Sequence, residues 1–314
     1  MQNTLWNLML TLKEKVKVAS SKNIQYCHLC LSGRVAINQH LSPNSCTRFF
    51  IQLTDMVEID SSLHDAVIRL DGVSAVSIVS RGQLDDATIY YLKLYLPYCF
   101  LSVFSKEKGR AISVAHFAQS LDGRVATCKG DSKWIGNQEN LVHAHRMRAL
   151  CDAILIGSGT LEKDQPRLTV RLVTGENPKR VVLGTSIQNY TSLYESSKDR
   201  ITVIGRYPSH LNGQIDYVHL ASEEKIIHPL RILKYLFAEN IHSVYVEGGT
   251  TTTSHFIEHQ GVDILQLHLA PLLLGGGPSC VDFPGIEMVK QAIRFKNPQF
   301  QPFGDAVMFS GELL

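Results

Sequence analysis

The sequence HFAQSLDGRVAT, at residues 116–127, opens the stretch that decides the fold. It is followed by a polar loop, GDSKWIG (130–136), a helix-like run, NQENLVHAHRMRAL (137–150), a short apolar run, DAILIGSGT (152–160), and EKDQPRLTVR (162–171). The apolar segments end in glycines, hydroxyls and cations, which is how an α/β enzyme presents a site at the carboxyl ends of its strands. The stretch therefore predicts an α/β fold with a binding site on these loops.

Residue spacing within this stretch predicts where its polar groups point. Asn137 can cap a helix from whose last turn Arg148 projects. The small residues 157–160 follow a buried strand and let backbone N–H groups approach an anion closely. Further on, alternation places Arg167 and Arg171 on one side of the chain. Together these features favour an anionic ligand.

Composition indicates a soluble globular protein of about two domains. The chain has 314 residues, 44% hydrophobic content and a formal charge of +2, so we expect neither nucleic acid nor an anionic membrane as a partner. Seven cysteines, an odd number spread along the chain, argue against a disulfide framework and for a reducing, cytoplasmic location. The N-terminus does not resemble a secretory signal. The apolar run 89–104 contains Lys93 and Pro97 and is too short to span a membrane.

Alternation of apolar runs and helical patterns predicts a larger, doubly wound domain at 106–314, preceded by a smaller α/β or α+β domain at 1–105. In the larger domain we expect strands at 112–118, 153–157, 180–184, 201–205, 215–220, 242–247 and 263–271, helices at 138–150, 229–239 and 251–259, and a terminal hairpin-like pair. In the smaller domain we expect helices at 5–18 and 85–95 and strands at 48–53 and 73–80.

Two blocks of sequence resemble a known family. The first comprises SLDGRVAT (120–127), SKWI (132–135), HRMRAL (145–150), GSGT (157–160) and DQPRLTVR (164–171), and the second is VEGGTTTTSHFIEHQGVDILQLHLAPLLLGGG (246–277). They are similar to the reductase domain of riboflavin biosynthesis, a pyrimidine reductase related in fold to dihydrofolate reductase. The resemblance covers about the last two thirds of the chain in the family's order. It implies a dihydrofolate-reductase-like, mostly parallel sheet flanked by helices.

The activity that this resemblance implies is hydride transfer from NADPH to C1′ of a ribosylamino-pyrimidine phosphate, which opens the sugar. The cofactor carries the hydride, so the protein mainly supplies orientation and electrostatics. By resemblance, the cofactor-binding positions are Ala118, Trp134, Thr160, Asp164, Thr185, Gly248, Gly249, Thr250 and Thr251. The two glycines would admit the pyrophosphate, and the free N–H groups of the next helix would face it.

The substrate-binding positions that the resemblance implies are Ser132, Arg148, Leu168, Arg171 and Glu247. Arginine suits a phosphate because its guanidinium stays charged and can bind two oxygens. Two candidate catalytic residues are His116, where many family members carry lysine, and Asp122. The ordinary role of an aspartate before Gly123 is turn formation, and we favour that interpretation of Asp122. The sequence also departs from the family at Gln165 and Gly184, where acidic residues are usual.

The best-known bifunctional members carry a zinc-dependent deaminase ahead of the reductase. That enzyme needs a His or Cys with a glutamate two residues on, and a later Pro-Cys-x-x-Cys. Residues 1–105 contain neither element. Cys27 and Cys30 form a C-x-x-C, but the run YCHLCL is better interpreted as an apolar strand than as a zinc site. We therefore expect no deaminase and no metal.

Two alternatives stay open beside the riboflavin-type reductase. One is a reductase of another heterocycle, such as a dihydropterin or a specialised-metabolite pyrimidine. The other is a non-catalytic nucleotide-binding protein, against which the intact Thr160, Arg171 and Glu247 positions count. The family is often dimeric, so the resemblance implies a cytoplasmic homodimer whose partner is a small-molecule pyrimidine or pterin substrate.

Overall fold

The computed structural model describes residues 2–19, 24–39, 48–53, 64–80, 84–184, 189–205, 215–220 and 227–314. The chain divides into two compact units, Met1–Lys108 and Gly109–Leu314. The sequence-based boundary, at residue 105, lies three residues before the boundary in the structure.

The N-terminal unit packs helices against a small mixed sheet. Its elements are α1 (Gln2–Ala19), β1 (Tyr26–Cys30), β2 (Arg34–Ile37), β3 (Arg48–Gln52), β4 (Ala66–Leu70), β5 (Val76–Ser80), α2 (Asp86–Tyr95), a 3₁₀ turn (Leu96–Phe100) and α3 (Leu101–Lys108). The described strands lie in the order β2-β1-β3-β4-β5, antiparallel except for β3 and β4. Apolar residues at helical spacing bury one face of α1, at Leu5, Leu8, Met9, Leu12 and Val16.

The apolar run near the end of this unit is a bent helical stretch. Pro97 lies in the first turn of the 3₁₀ segment between α2 and α3, where its missing N–H costs little. Within the described residues, the stretch Asp86–Lys108 is long and apolar enough for a membrane span, and 67% of its apolar window is buried inside the structure. Buried core helices have the same composition, so this is weak evidence for a span.

The cysteines of β1 have different states. Cys27 is a buried free thiol, and burial raises its pKa to about 12. Cys30 is disulfide-bonded, although the odd number of cysteines argued against a disulfide framework. The interpretation of YCHLCL as an apolar strand is confirmed, because Cys27, His28, Leu29 and Cys30 are all buried in β1.

The C-terminal unit is built on a mostly parallel sheet, as predicted. Its strands are β6 (Ile112–Ser120), β7 (Ala153–Gly157), β8 (Lys179–Leu183), β9 (Ile201–Gly205), β10 (Ile215–His219), β11 (Ser243–Val246), β12 (Ile264–Ala270), β13 (Phe295–Phe303) and β14 (Ala306–Leu313). Its helices are α4 (Gln138–Leu150), α5 (Ser158–Asp164), α6 (Thr191–Ser196), α7 (Pro229–Ala238) and α8 (Thr250–Glu258), with a 3₁₀ turn at Val289–Gln291. Every predicted strand and helix of this unit lies within two residues of its predicted bounds.

Strand order explains why several loops meet at one place. Among the described strands the order is β10-β9-β8-β7-β11-β6-β12-β14-β13, and only the last two run antiparallel to their neighbours. The strand β11 enters between β7 and β6, so the carboxyl ends of these three strands are adjacent. A reversal of strand order of this kind opens a crevice at the carboxyl edge of the sheet.

Helices cover the sheet and hold this edge in place. The core joins strand residues such as Leu155, Val181 and Val244 to Leu236 of α7 and Phe256 of α8. Burying a side chain as large as Phe256, which is 0% exposed, contributes about 1.5–3 kcal/mol. The core therefore fixes α7 and α8 against the strands that carry the crevice.

An ion pair fixes the opposite edge of the sheet. Both guanidinium nitrogens of Arg110 donate to Asp263 at 2.8 Å, and Asp263 also accepts from the backbone N–H of Ser113 at 2.9 Å. These contacts join the start of β6 to the start of β12 and so set the register of the two strands.

Candidate active site

A cavity of about 1140 Å³ lies at the carboxyl ends of β6, β7 and β11. Pockets that hold one small ligand measure about 300–1,000 Å³, so this cavity lies just above the upper end of that range. Most of the predicted site residues line it, namely His116, Ala118, Ser132, Trp134, Arg148, Thr160, Asp164, Glu247, Gly248, Gly249, Thr250 and Thr251. The sequence-based hypothesis of a shared pocket formed by distant loops therefore matches the placement of these residues.

Two helix starts form one wall of the cavity, which we call the cradle (residues 157–160 and 248–252). Gly157 is the N-cap of α5 and Gly249 is the N-cap of α8, and in the described residues neither helix has a side-chain cap. The N–H of Gly249 donates to Thr160 Oγ1 at 3.0 Å, which ties the two starts together. Uncapped N–H groups and the positive ends of the helix dipoles make the cradle suitable for an anion.

Glycine is required where the two parts of the cradle approach each other. A Cβ on Gly248 would lie 2.8 Å from Thr252 Cβ, and a Cβ on Gly157 would collide with the hydroxyl of Thr252. A Cβ on Gly249 would lie 3.2 Å from Thr160 Oγ1. Side chains at Gly157 and Gly249 would crowd the approach of α5 to α8, and a side chain at Gly248 would crowd the first turn of α8 itself.

An exposed aromatic residue stands at another part of the cavity wall. Trp134 is 85% exposed and has φ +68°, an uncommon conformation for a residue with a side chain. Its loop is held by the N–H of Lys133, which donates to Asp131 Oδ1 at 3.1 Å. An exposed indole in a cavity wall offers a flat face on which a heterocycle can stack.

An ion pair between the buried Arg148 and the half-buried Glu247 lies next to the cradle. Nε and Nη2 of Arg148 donate to the two carboxylate oxygens of Glu247 at 2.7 Å and 2.6 Å. Burial opposes the charge of Arg148, but the Glu247 charge and its hydrogen bonds outweigh burial and raise the pKa of the guanidinium. The pair thus holds the Glu247 carboxylate in a fixed orientation, where it can accept hydrogen bonds from a ligand.

Arg171 lies beside this pair but points differently from the prediction. Its Nη1 donates to Thr169 Oγ1 at 3.2 Å, while the carbonyl of Thr169 accepts from Arg148 Nη1 at 3.2 Å. Burial and the charges of Arg148 and Arg167 lower the pKa of Arg171, which shows that three guanidinium groups lie close together. Arg171 is exposed. A cluster of like charges with an exposed member is a site that an anion would stabilise.

His116 is the most unusual polar residue of the cavity. It is 7% exposed, and in the described part of the chain neither ring nitrogen makes a hydrogen bond. Burial lowers its pKa to about 3, and the charges of His268 and Arg148 add to the effect. The nearby Asn140 amide opposes the shift, although it does not reach hydrogen-bonding geometry. The ring is therefore neutral at pH 7 and has one donor and one acceptor to offer.

The remaining predicted site residues lie elsewhere. Among the residues that the structure describes, Asp122, Leu168 and Arg171 do not line the cavity. Asp122 accepts from Ser120 Oγ at 2.6 Å and from the N–H groups of Leu274 and Gly275 at 3.1 Å and 2.8 Å. The hydrogen bond from Ser120 is the main reason that its pKa falls to about 2. Asp122 therefore closes a turn, which is the interpretation that its position before Gly123 favoured.

Leu168 and Thr185 are two further positions that the resemblance assigns to the site. Leu168 is buried, with φ +56°, so it supports the chain between Arg167 and Thr169 without lining the cavity. Thr185 lies outside the described residues. Its neighbour Gly184, at the end of β8, does line the cavity.

Sequence reasoning missed several lining residues. Asn140 and Ala144 of α4, Gly205 after β9 and His255 of α8 all line the cavity. Gly205 could have been found, because it is the last residue of a predicted strand at the same edge of the sheet. Asn140 could not, since a polar residue on a helix is usually solvated.

The sheet order, the glycine cradle and the charged pair define a doubly wound α/β domain with a nucleotide-type site. The RibD C-terminal domain family matches residues 113–309, which is more than half of the chain. The chain belongs to this family.

Two curated relatives show how far the similarity extends. The riboflavin biosynthesis protein RibD of Mycobacterium tuberculosis is 31% identical over 198 residues, covering 62% of this chain and 52% of the relative. The 2,5-diamino-6-ribosylamino-4(3H)-pyrimidinone 5′-phosphate reductase of Methanothermobacter thermautotrophicus is 30% identical over 206 residues, covering 62% of this chain and 95% of the relative. The chain thus spans about half the length of the first relative and nearly all of the second.

Solved structures show the same fold. Acinetobacter baumannii RibD has a TM-score of 0.63 at 16% identity and covers 100% of this chain and 99% of its own. The riboflavin biosynthesis reductase Rib7 of Saccharomyces cerevisiae has a TM-score of 0.55 at 22% identity and covers 66% of this chain and 91% of its own. The first likeness includes the fold of the N-terminal unit.

Proposed function

We propose that the C-terminal unit is an NADPH-dependent reductase of a ribosylamino-pyrimidine phosphate, of the kind that acts in riboflavin biosynthesis. The observation that carries the proposal is one cavity with an anion cradle in one wall and the Arg148–Glu247 pair in another. Such a cavity can hold two ligands in contact, which direct hydride transfer requires.

The residues present fit a dinucleotide. The cradle provides uncapped helix starts for the pyrophosphate, and glycines stand where a Cβ would collide. Trp134 offers an aromatic face for the nicotinamide. When bound, NADPH supplies the hydride from its nicotinamide ring. The preference for NADPH over NADH is part of the proposal and rests on the resemblance alone.

The residues on the other side fit a phosphorylated heterocycle. Arg148 is occupied by Glu247, so we assign the phosphate to the exposed Arg171 with help from Arg167. Glu247 would accept hydrogen bonds from the N–H or hydroxyl groups of the substrate. This assignment of the substrate contacts differs from the sequence-based expectation, in which both Arg148 and Arg171 bind the substrate directly.

His116 would act as a neutral hydrogen-bonding group. Addition of hydride at C1′ breaks the bond from C1′ to the ribose ring oxygen, and that oxygen then takes up a proton. A buried imidazole that stays neutral can donate its N–H to the oxygen as charge develops there. The proton itself would come from solvent, because a ring with a pKa of about 3 is not protonated at pH 7.

We further propose that the N-terminal unit is not a zinc deaminase. Cys30 is in a disulfide, and Cys27 is a buried thiol whose raised pKa disfavours the thiolate that binds zinc. His28 lies against His64, with ring nitrogens 3.2 Å apart. Release of ammonia from an aminopyrimidine by the purified chain would overturn this proposal.

An assay of NADPH absorbance tests the main proposal. The full chain is mixed with the phosphorylated ribosylamino-pyrimidine, its dephosphorylated form and dihydrofolate in parallel. We expect kcat/KM for the phosphorylated substrate to exceed that of the dephosphorylated form by about 10- to 100-fold, because a charged hydrogen bond contributes about 1.5–3 kcal/mol. Faster turnover of dihydrofolate would select another heterocycle as the substrate. If the chain does not bind NADPH, the alternative interpretation as a non-catalytic protein is favoured.

A further inference from the structure

A cluster of potential metal ligands lies at the end of α8 opposite the cradle. His255, Glu258 and His259 are spaced i, i+3 and i+4, which places them on one face of the helix. One ligand atom from each residue lies within 4.8 Å of the others. Bound to one metal ion at about 2.0–2.2 Å, two ligand atoms lie at most about 4.4 Å apart, so small rotamer changes would complete the site.

Backbone carbonyls set the protonation of both histidine rings. His255 Nε2 lies 3.3 Å from the carbonyl of Ile227, and His259 Nδ1 lies 3.0 Å from the carbonyl of His255. A carbonyl oxygen only accepts, so each ring donates its N–H there. The other nitrogen of each ring therefore carries a lone pair. Metal-binding histidines are commonly oriented in this way by a hydrogen bond from the second nitrogen.

The surroundings favour a cation and leave coordination positions open. The cluster lies at the carboxyl end of α8, where the helix dipole is negative. His228 packs edge-on against His259 with ring centroids 5.1 Å apart. Its Nδ1 accepts from the N–H of Leu230 at 3.3 Å, so its Nε2 holds a proton and is not a ligand in this tautomer. Three protein ligands leave room for water or another ligand, unlike closed structural zinc sites.

We propose that His255, Glu258 and His259 bind a divalent transition-metal ion, with Zn²⁺ as the representative ion. Two imidazoles and one carboxylate suit Zn²⁺, whereas Mg²⁺ prefers oxygen ligands alone. The site is additional to the proposed reductase chemistry, and it shares one residue with the cavity, because His255 also lines it. It also departs from the sequence-based expectation of a chain without a metal site.

Direct metal binding tests the proposal. The full chain is stripped with a chelator, and Zn²⁺ binding is measured by calorimetry, with Co²⁺ absorption as a second measurement. We expect one ion per chain, visible Co²⁺ bands, and little competition from Mg²⁺. His259→Ala should weaken Zn²⁺ binding by about 100-fold or more, because removing even an outer contact of a metal site costs about 10- to 100-fold. His219→Ala, on β10, is the matched control and should keep the wild-type affinity.

A second variant distinguishes the loss of a metal ligand from the loss of the folded structure. Glu258 is exposed at the last position of α8, so Glu258→Gln keeps the helix while removing the charged ligand. It should also weaken Zn²⁺ binding and abolish the Co²⁺ bands at an unchanged circular dichroism spectrum. Wild-type affinity in both His259→Ala and Glu258→Gln would overturn the proposal, as would the absence of Zn²⁺ binding in the wild type.

Discussion

At the scale of single residues, the first substitution concerns Arg171, the exposed member of the cluster that it forms with Arg148 and Arg167. Arg171→Ala should raise the KM for the phosphorylated substrate by about 10- to 100-fold, because it removes a charged hydrogen bond contributing about 1.5–3 kcal/mol. The affinity for NADPH should change little, since Arg171 lies outside the cradle. Steady-state kinetics and NADPH titration measure the two effects separately.

Arg200→Ala is the matched control for this variant. Arg200 forms an ion pair with Asp216 that is exposed on both sides, so its loss should leave both constants within about twofold. An equal loss of substrate and NADPH affinity in Arg171→Ala would show that the phosphate is bound elsewhere.

The Arg148–Glu247 pair gives a different kind of prediction. Glu247→Leu leaves the buried Arg148 charge without its partner and should lower the free energy of unfolding by about 3 kcal/mol. The double variant Arg148→Met/Glu247→Leu removes both charges and should recover much of that loss. It should not recover activity, because no carboxylate then faces the substrate. Urea unfolding and the NADPH assay measure the two outcomes, and recovery of activity would contradict the role given to Glu247.

At the scale of elements, the cradle depends on the close approach of α5 and α8. Gly249→Val should weaken NADPH binding by at least about tenfold, because the valine side chain would enter the space beside Thr160 Oγ1, which would lie only 3.2 Å from the added Cβ. Gly285→Ala is the control, since a Cβ there would meet nothing within 4 Å. Fluorescence titration with NADPH compares the two. If Gly249→Val binds NADPH with normal affinity, the assignment of the pyrophosphate to the cradle is wrong.

The strand β6 and the helix α4 carry buried histidines that make stability depend on pH. Burial lowers the pKa of both His116 and His143 to about 3, with further lowering from neighbours that include His268, Arg146 and Arg148. In the unfolded chain both rings titrate near 6.5, so unfolding takes up protons between about pH 3 and 6.5. Stability contributed by the neutral rings is therefore full above pH 6.5 and falls as the pH is lowered through this window.

Each ring should account for a slope of about 1.4 kcal/mol per pH unit below pH 6. The measurement is the free energy of unfolding in urea at pH 5, 6, 7 and 8. His143→Gln should reduce the slope of the unfolding free energy against pH by about 1.4 kcal/mol per pH unit, because glutamine does not take up a proton on unfolding. An unchanged slope in that variant would show that other groups cause the pH dependence.

Periodicity predicted the elements but not the contacts between them. Strands of the parallel sheet are continuous apolar runs, so β7 (AILIG) was placed at its observed bounds. The hydrogen bonds of Arg148 could not be predicted, because its partner Glu247 is 99 residues away in the sequence. Nor could the orientation of His116, since nearly all of β6 is buried and alternation gives no face. Leu168 was assigned to the substrate by resemblance, and neither its burial nor its positive φ could be predicted from alternation.

At the scale of the whole molecule, one cavity receives loops from three adjacent strands and from two helix starts. The larger sheet was predictable because each of its strands has a strong apolar signal, whereas the apolar pattern did not predict that β11 enters between β6 and β7. Under the proposed function, both ligands lie in this one cavity at the same time.

This arrangement predicts a sequential kinetic mechanism. Initial rates measured over a matrix of NADPH and substrate concentrations should give intersecting lines in a double-reciprocal plot, because hydride passes directly between two ligands held in one cavity. A substrate analogue without a reducible C1′ should bind to the complex with NADP⁺ as well as to the free protein, since Arg167 and Arg171, the proposed phosphate contacts, lie outside the described lining of the cavity that contains the cradle. Parallel lines would indicate that one product leaves before the second ligand binds. In that case the two ligands would occupy the cavity one after the other, and the proposal that they bind there at the same time would be wrong.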